Sequence, residues 1–136
     1  DYSQWVNEAQ MGEQVVFAGW VKGRQKRELL QNSRILLLPS RHEGMPMSIL
    51  EAMAYGEAVI STRVGGIPEA VADGESGFLI EPDEEETLYQ AMRRLLDEPK
   101  LAEQMGCCGH EIVRQKFDLE QIHRQLYALY GRILGE

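Results

Sequence analysis

Glu43 and Glu51 stand eight positions apart in the run Glu43-Gly44-Met45-Pro46-Met47-Ser48-Ile49-Leu50-Glu51. Carboxylates of this kind accept hydrogen bonds, and one carboxylate can take two hydroxyl donors at once. The run follows an apolar stretch, Ile35 to Leu38, that stops at Pro39-Ser40. It leads into Ile49-Leu50-Glu51-Ala52-Met53-Ala54-Tyr55, which reads as a helix ending at Gly56. Glu43 then lies in a strand-to-helix loop, and Glu51 about one turn inside the helix. Amides at a helix start lack intrahelical partners, and the helix dipole favours anions there. Gly44 lets backbone approach a ligand closely. Anion-binding amides flanked by two hydroxyl acceptors suit a phosphorylated sugar, with the carboxylates on ribose and hexose hydroxyls. The competing reading makes Glu43 a solvated loop residue and Glu51 a helix surface residue, and spacing alone leaves both open.

These residues need a scaffold, and the chain offers one. Ile35–Leu38 and Ala58-Val59-Ile60-Ser61-Thr62 read as strands, the first apolar enough to be buried on both faces. Val15-Val16-Phe17-Ala18, stopped by Gly19, reads as a strand before them, and Phe78-Leu79-Ile80 as a brief one after. Between them lie the end of a helix over 5–9, a short helix over 26–32, and the 43–55 loop and helix. A glycine loop, Gly65-Gly66-Ile67-Pro68, follows, with Pro68 near the first turn of a short helix. From Asp83 the chain is helical: about 84–96, about 100–115, and from Asp118, a natural N-cap, to about 134. Strand and helix alternating with short connections predict a parallel α/β sheet with right-handed crossovers. In such sheets ligands sit at the carboxyl ends of the strands. Leu119, Ile122, Leu126, Leu129, Tyr130 and Ile133 recur at helical spacing and predict a core-packing stripe.

The chain has 136 residues, 43% of them hydrophobic, which is enough for one domain with a core. No run approaches the ~18 apolar residues of a membrane span. The net charge of −8 argues against general nucleic-acid binding. Lys22, Arg24, Lys26 and Arg27 form the one basic cluster, read as a solvated segment entering a helix. Cys107 and Cys108 are adjacent, a poor geometry for pairing, and no metal-ligand spacing occurs. A reducing compartment fits. His42, His110 and His123 are scattered and read as surface residues.

The run from Leu38 to Ala54 resembles the signature of retaining GT-B glycosyltransferases, family 4 in particular. Three downstream runs extend the resemblance: Ala58 to Thr62, Val64-Gly65-Gly66-Ile67-Pro68-Glu69, and Asp73-Gly74-Glu75-Ser76-Gly77-Phe78-Leu79. It is strong over 15–96 and looser over the helical tail. It implies a Rossmann-like parallel sheet with flanking helices and a helical C-terminal tail, as part of the C-terminal, donor-binding domain of a GT-B fold. Carried over, Glu43 lies beside the transferred sugar as the catalytic-site residue, and Glu51 takes the ribose hydroxyls of the nucleotide. The backbone of Gly44, Met45, Met47 and Ser48 meets the diphosphate or the sugar; Pro46 has no N–H to offer. Gly19, Trp20 and Val21 frame the base. The donor is a nucleotide-diphosphate sugar, with no metal or other cofactor. The acceptor is a glycan, lipid or small molecule held by an N-terminal domain outside these residues.

The chain departs from the family pattern upstream of Val15. The expected first strand with its Arg/Lys pair and the second with its glycine-rich turn are not found there. A sheet of order 3-2-1-4-5-6 would place two further strands between Val15–Ala18 and Ile35–Leu38. The edge so exposed predicts self-association of the isolated chain. The adjacent, unpaired cysteines fit a reducing, cytosolic compartment, with peripheral association of the full-length enzyme at the inner membrane face left open. Two other readings remain: a non-catalytic nucleotide-sugar or carbohydrate-binding module of the same fold, and another GT-B enzyme such as an epimerase. A phosphorylase would show a cofactor-lysine context, which is absent.

Overall fold

A computed structural model describes residues 2–135. The elements run α1 (Tyr2–Glu8), α2 (Gly23–Asn32), β1 (Ile35–Leu38), α3 (Met47–Ala54), β2 (Ala58–Thr62), α4 (Ile67–Ala70), β3 (Gly77–Ile80), α5 (Glu85–Asp97), α6 (Pro99–Lys116) and α7 (Leu119–Leu134). The three strands form one parallel sheet in the order β1-β2-β3. This is the expected α/β class, with helices flanking the sheet and a helical tail.

The central strand carries the core. All five residues of β2 are buried, and its side chains alternate between two layers. Val59 packs with Ile49, Met53, Ile67, Val71 and Leu79 on the face covered by α3 and α4. Ala58 and Ile60 pack with Leu95, Ala102 and Met105 on the face covered by α5 and α6. Each fully buried isoleucine or methionine stabilises the fold by about 1.5–3 kcal/mol. The register aligns Leu38 with Ser61 and Ser61 with Leu79. The three strands therefore end level, and the loops leaving them share one edge of the sheet.

Three expectations are corrected. Val15–Ala18 is not a strand: Val16 is 85% exposed and Phe17 56% exposed, and no neighbour pairs with the segment among the described residues. The sheet therefore has three strands, not four. A β-prone run becomes a strand only where another strand takes its N–H and C=O groups. The stripe on α7 is not core either. Leu119, Ile133 and Tyr130 are among its exposed residues, and α7 buries none. Helical periodicity shows that a face is apolar but does not supply the surface to cover it. Finally, the helix expected from Lys26 starts at Gly23. The cap at Asp118 is as expected: its side chain accepts from the amides of Glu120 and Gln121.

Glu57 lies at the far end of the sheet from those loops, between α3 and β2. It is 2% exposed, and its Oε1 has no hydrogen-bond partner among the described residues. Burial raises its carboxyl to about 7. The folded state thus holds a proton that the unfolded chain releases from about pH 4.5 upward. The sign follows: this group costs little below its unfolded value, and stability falls as pH rises toward 7. Between pH 5 and pH 8 the loss from Glu57 is expected to be about 2–3 kcal/mol. Urea unfolding of wild type and Glu57→Gln at both pH values checks it. The variant should lack that part of the decline, and parallel pH curves for the two proteins would contradict the assignment.

Candidate functional site

The loop after β1 carries Glu43, and the order of its anchors explains its shape. Ser61 Oγ, on fully buried β2, donates to the Leu38 carbonyl at 2.7 Å. The neighbouring Thr62 hydroxyl donates to the Ser40 carbonyl. Ser40 Oγ in turn donates to Glu43 Oε1 at 2.7 Å. A second loop supports the first from beneath: the Gly66 amide donates to the Gly44 carbonyl at 2.6 Å. Gly65 has φ +54°, and a Cβ at that position would overlap the Glu43 and Gly44 carbonyls. Glycine is therefore required there both by conformation and by space.

The chain then turns into α3. Pro46 is the N-cap and is extended, and no side chain caps the helix. The amides of its first turn, at Met47 and Ser48, have no intrahelical partner. Both residues are exposed, and Gly44 is exposed beside them. Met45 is half-buried and packs its side chain on the core beneath α3, anchoring the loop to it. Glu51 is one turn into α3, as expected, and half-buried. Glu43 and Glu51 thus belong to one loop-and-helix unit at the carboxyl edge of the sheet. Arg41 ties this loop to the loop after β3 through Asp83 at 2.8 Å.

Glu51 has a partner that sequence reading did not find. Lys26 Nζ, on α2, lies 2.5 Å from Glu51 Oε2, with both side chains about two-fifths exposed. Lys26 is therefore not simply a solvated cation. Arg24, in the same cluster, pairs along its own helix with Glu28. The signal for Lys26 was the basic cluster itself, but nothing in the sequence said which helix α2 would meet. Ser40 and Thr62 were likewise missed, because a hydroxyl next to a strand end carries no pattern of its own.

Gly19, Trp20 and Val21 belong to a different segment from the Glu43 loop. They lie in the segment entering α2, Trp20 is 91% exposed, and no hydrogen bond joins them to the Glu43 loop among the described residues. The histidines are exposed, with His110 Nδ1 2.8 Å from the Ala54 carbonyl. Cys107 and Cys108 are both free. Among the described residues no group of three His, Cys, Asp or Glu is placed to hold a metal ion. No helix there is long and apolar enough to cross a membrane.

An uncapped helix start, two carboxylates and a glycine-supported loop lie on one loop-and-helix unit at the carboxyl edge of a parallel sheet, the edge where open α/β folds bind ligands. The chain belongs to the family of glycosyl transferases group 1, whose model matches residues 1–110. It is 35% identical over 133 residues to the N-acetyl-alpha-D-glucosaminyl L-malate synthase of Bacillus anthracis, a match covering 98% of this chain and 34% of that protein. Sucrose-phosphate synthase from Thermosynechococcus elongatus superposes with a TM-score of 0.85 at 30% identity, over 98% of this chain and 34% of that one. HepE from Anabaena, solved in complex with UDP-glucose, shares the fold, with a TM-score of 0.84 at 23% identity over 96% of this chain and 36% of that one. The chain spans about a third of the length of the curated relatives it matches.

Proposed function

We propose that this chain is the donor-binding part of a retaining glycosyltransferase of the GT-B, family 4 type, and that it belongs to the C-terminal domain of that enzyme. The enzyme transfers a sugar from a nucleotide-diphosphate sugar to a glycan, lipid or small-molecule acceptor. The observation that carries this reading is the pair Glu43 and Glu51 on either side of the uncapped start of α3. Family membership and a structural neighbour solved with UDP-glucose support it.

In this reading the α3 amides at Met47 and Ser48, with the backbone of Gly44 and Met45, receive the diphosphate. The dipole of α3 stabilises the charge that gathers on the leaving group. Glu51 accepts the ribose hydroxyls, and Lys26 holds its carboxylate in place beforehand. Glu43 accepts hydroxyls of the sugar, orients the ring and stabilises the positive charge that develops at the anomeric carbon. Gly19, Trp20 and Val21 frame the base at the entrance to α2. The chemistry needs no metal or further cofactor, because backbone dipoles supply the electrostatics. The acceptor is held by a separate N-terminal domain. We place the enzyme in the cytoplasm, at the inner membrane face when the acceptor is a lipid. The open edge of β1 makes the isolated chain prone to self-associate.

The test is transfer by the full-length protein from UDP-glucose, UDP-N-acetylglucosamine and GDP-mannose, with the anomeric configuration of the product read by NMR. Turnover of one donor with retained configuration is the expected result. Tight donor binding with no turnover on any acceptor would favour the non-catalytic module, and an inverted product would remove the retaining assignment.

A further inference from the structure

We propose that Ser40 is the positioning residue of Glu43, acting through a hydroxyl relay anchored in the buried floor of the sheet. This rests on the reading of Glu43 as the residue that faces the transferred sugar.

Ser40 Oγ donates to Glu43 Oε1 at 2.7 Å across three residues of loop, and both side chains are half-buried. Ser40 itself is held at both ends of its backbone. Its amide donates to the Leu38 carbonyl at 3.0 Å, and its carbonyl accepts from the Thr62 hydroxyl. Thr62 is 1% exposed, and Ser61, fully buried beside it, holds the Leu38 carbonyl. Buried strand β2 thus fixes the position of Ser40, the one residue among those described whose hydroxyl bonds to the Glu43 carboxylate. Serine hydroxyls in loops commonly bond to their own backbone or to water. Here the hydroxyl is committed to an acid.

The consequence is geometric. A glutamate in a loop has several free torsions, and electrostatic stabilisation of a reacting centre depends on groups already aimed at it. One charge-assisted bond to Oε1, on a loop tied to its neighbour through Gly66, restrains where the carboxylate can sit. Oε2 and the remaining lone pair of Oε1 stay available for sugar hydroxyls. Removing the Ser40 hydroxyl leaves the charge of Glu43 in place and removes its aim. Misplacement of a group by about 1 Å can cost up to 100-fold in rate.

The experiment is a double-mutant cycle in the full-length protein, using whichever of UDP-glucose, UDP-N-acetylglucosamine or GDP-mannose it turns over. Ser40→Ala should lower kcat by roughly tenfold with donor KM and melting temperature nearly unchanged. Ser40→Thr keeps the hydroxyl and should recover kcat to within about threefold. In a Glu43→Ala background, Ser40→Ala should change nothing further, because its route to the reaction is gone. Multiplying effects in the double variant would overturn the proposal. So would wild-type kinetics of Ser40→Ala beside a slow Glu43→Ala, which leaves the role of Glu43 standing. A lowered melting temperature with parallel losses in kcat and KM marks a structural serine, and also overturns it. Wild-type kinetics in Glu43→Ala would remove both the relay and the reading it rests on.

Discussion

Glu43→Ala in the full-length protein is expected to lower kcat by about 10- to 150-fold while donor KM changes little, the effect of losing a charged hydrogen bond of about 1.5–3 kcal/mol. Glu43 precedes α3 on the loop held by Ser40 and Gly66, and in the proposed reading it faces the transferred sugar. On that reading its interaction would strengthen as positive charge appears at the anomeric carbon, so the loss is expected to fall on the chemical step. Glu51→Ala should behave differently. Its carboxylate, one turn into α3 and steadied by Lys26, would hold the ribose equally in ground and transition states. Losing uniform binding raises KM by roughly 5- to 150-fold and leaves kcat near wild type. The Lys26 pair is partly exposed, so its loss costs the fold less than about 1 kcal/mol, and the rise in KM cannot be ascribed to unfolding. Steady-state kinetics on both single variants decides the matter. Equal KM effects with unchanged kcat would remove the division of labour, and wild-type behaviour in both would remove the site.

Gly65→Ala is expected to be at least as damaging, although Gly65 offers no side chain to any substrate. Its φ of +54° costs a non-glycine residue about 1–2 kcal/mol, and the added Cβ would overlap the carbonyls of Glu43 and Gly44. One of the two loops must move, and the Gly66–Gly44 hydrogen bond is lost with it. We expect a stability loss of about 2–4 kcal/mol and a fall in kcat/KM of more than about 100-fold. Gly74→Ala is the control. Gly74 also has positive φ, at +77°, but a Cβ there meets nothing within 4 Å. That variant should lose about 1 kcal/mol of stability and keep its activity. Kinetics and thermal melting of the two alanine variants side by side make the comparison. Matching activity losses would show that the contact between the two loops has no bearing on the site.

Local pattern was enough for the elements whose surroundings are themselves local. The apolar runs of β1 and β2, the α3 helix after Pro46 and the Asp118 cap of α7 each carry their signal within a few residues, and all four lie where their sequences place them. The same holds for Glu43 in the loop and Glu51 one turn into the helix, since both positions count from the start of α3. Elements that need a distant partner were not legible in that way. Val15–Ala18 has the composition of a strand, but a strand exists only with a neighbour, and none pairs with it here. The α7 stripe has the period of a core helix, yet none of its described residues is buried. At the site, the Lys26–Glu51 pair joins residues 25 positions apart, and the Thr62–Ser40 bond joins residues 22 apart. Side-chain identity made those bonds possible. Only tertiary packing, with the parallel register of β1 on β2 and the Gly66–Gly44 contact between loops as part of it, brought the groups together and decided which oxygen of Glu43 is held by Ser40.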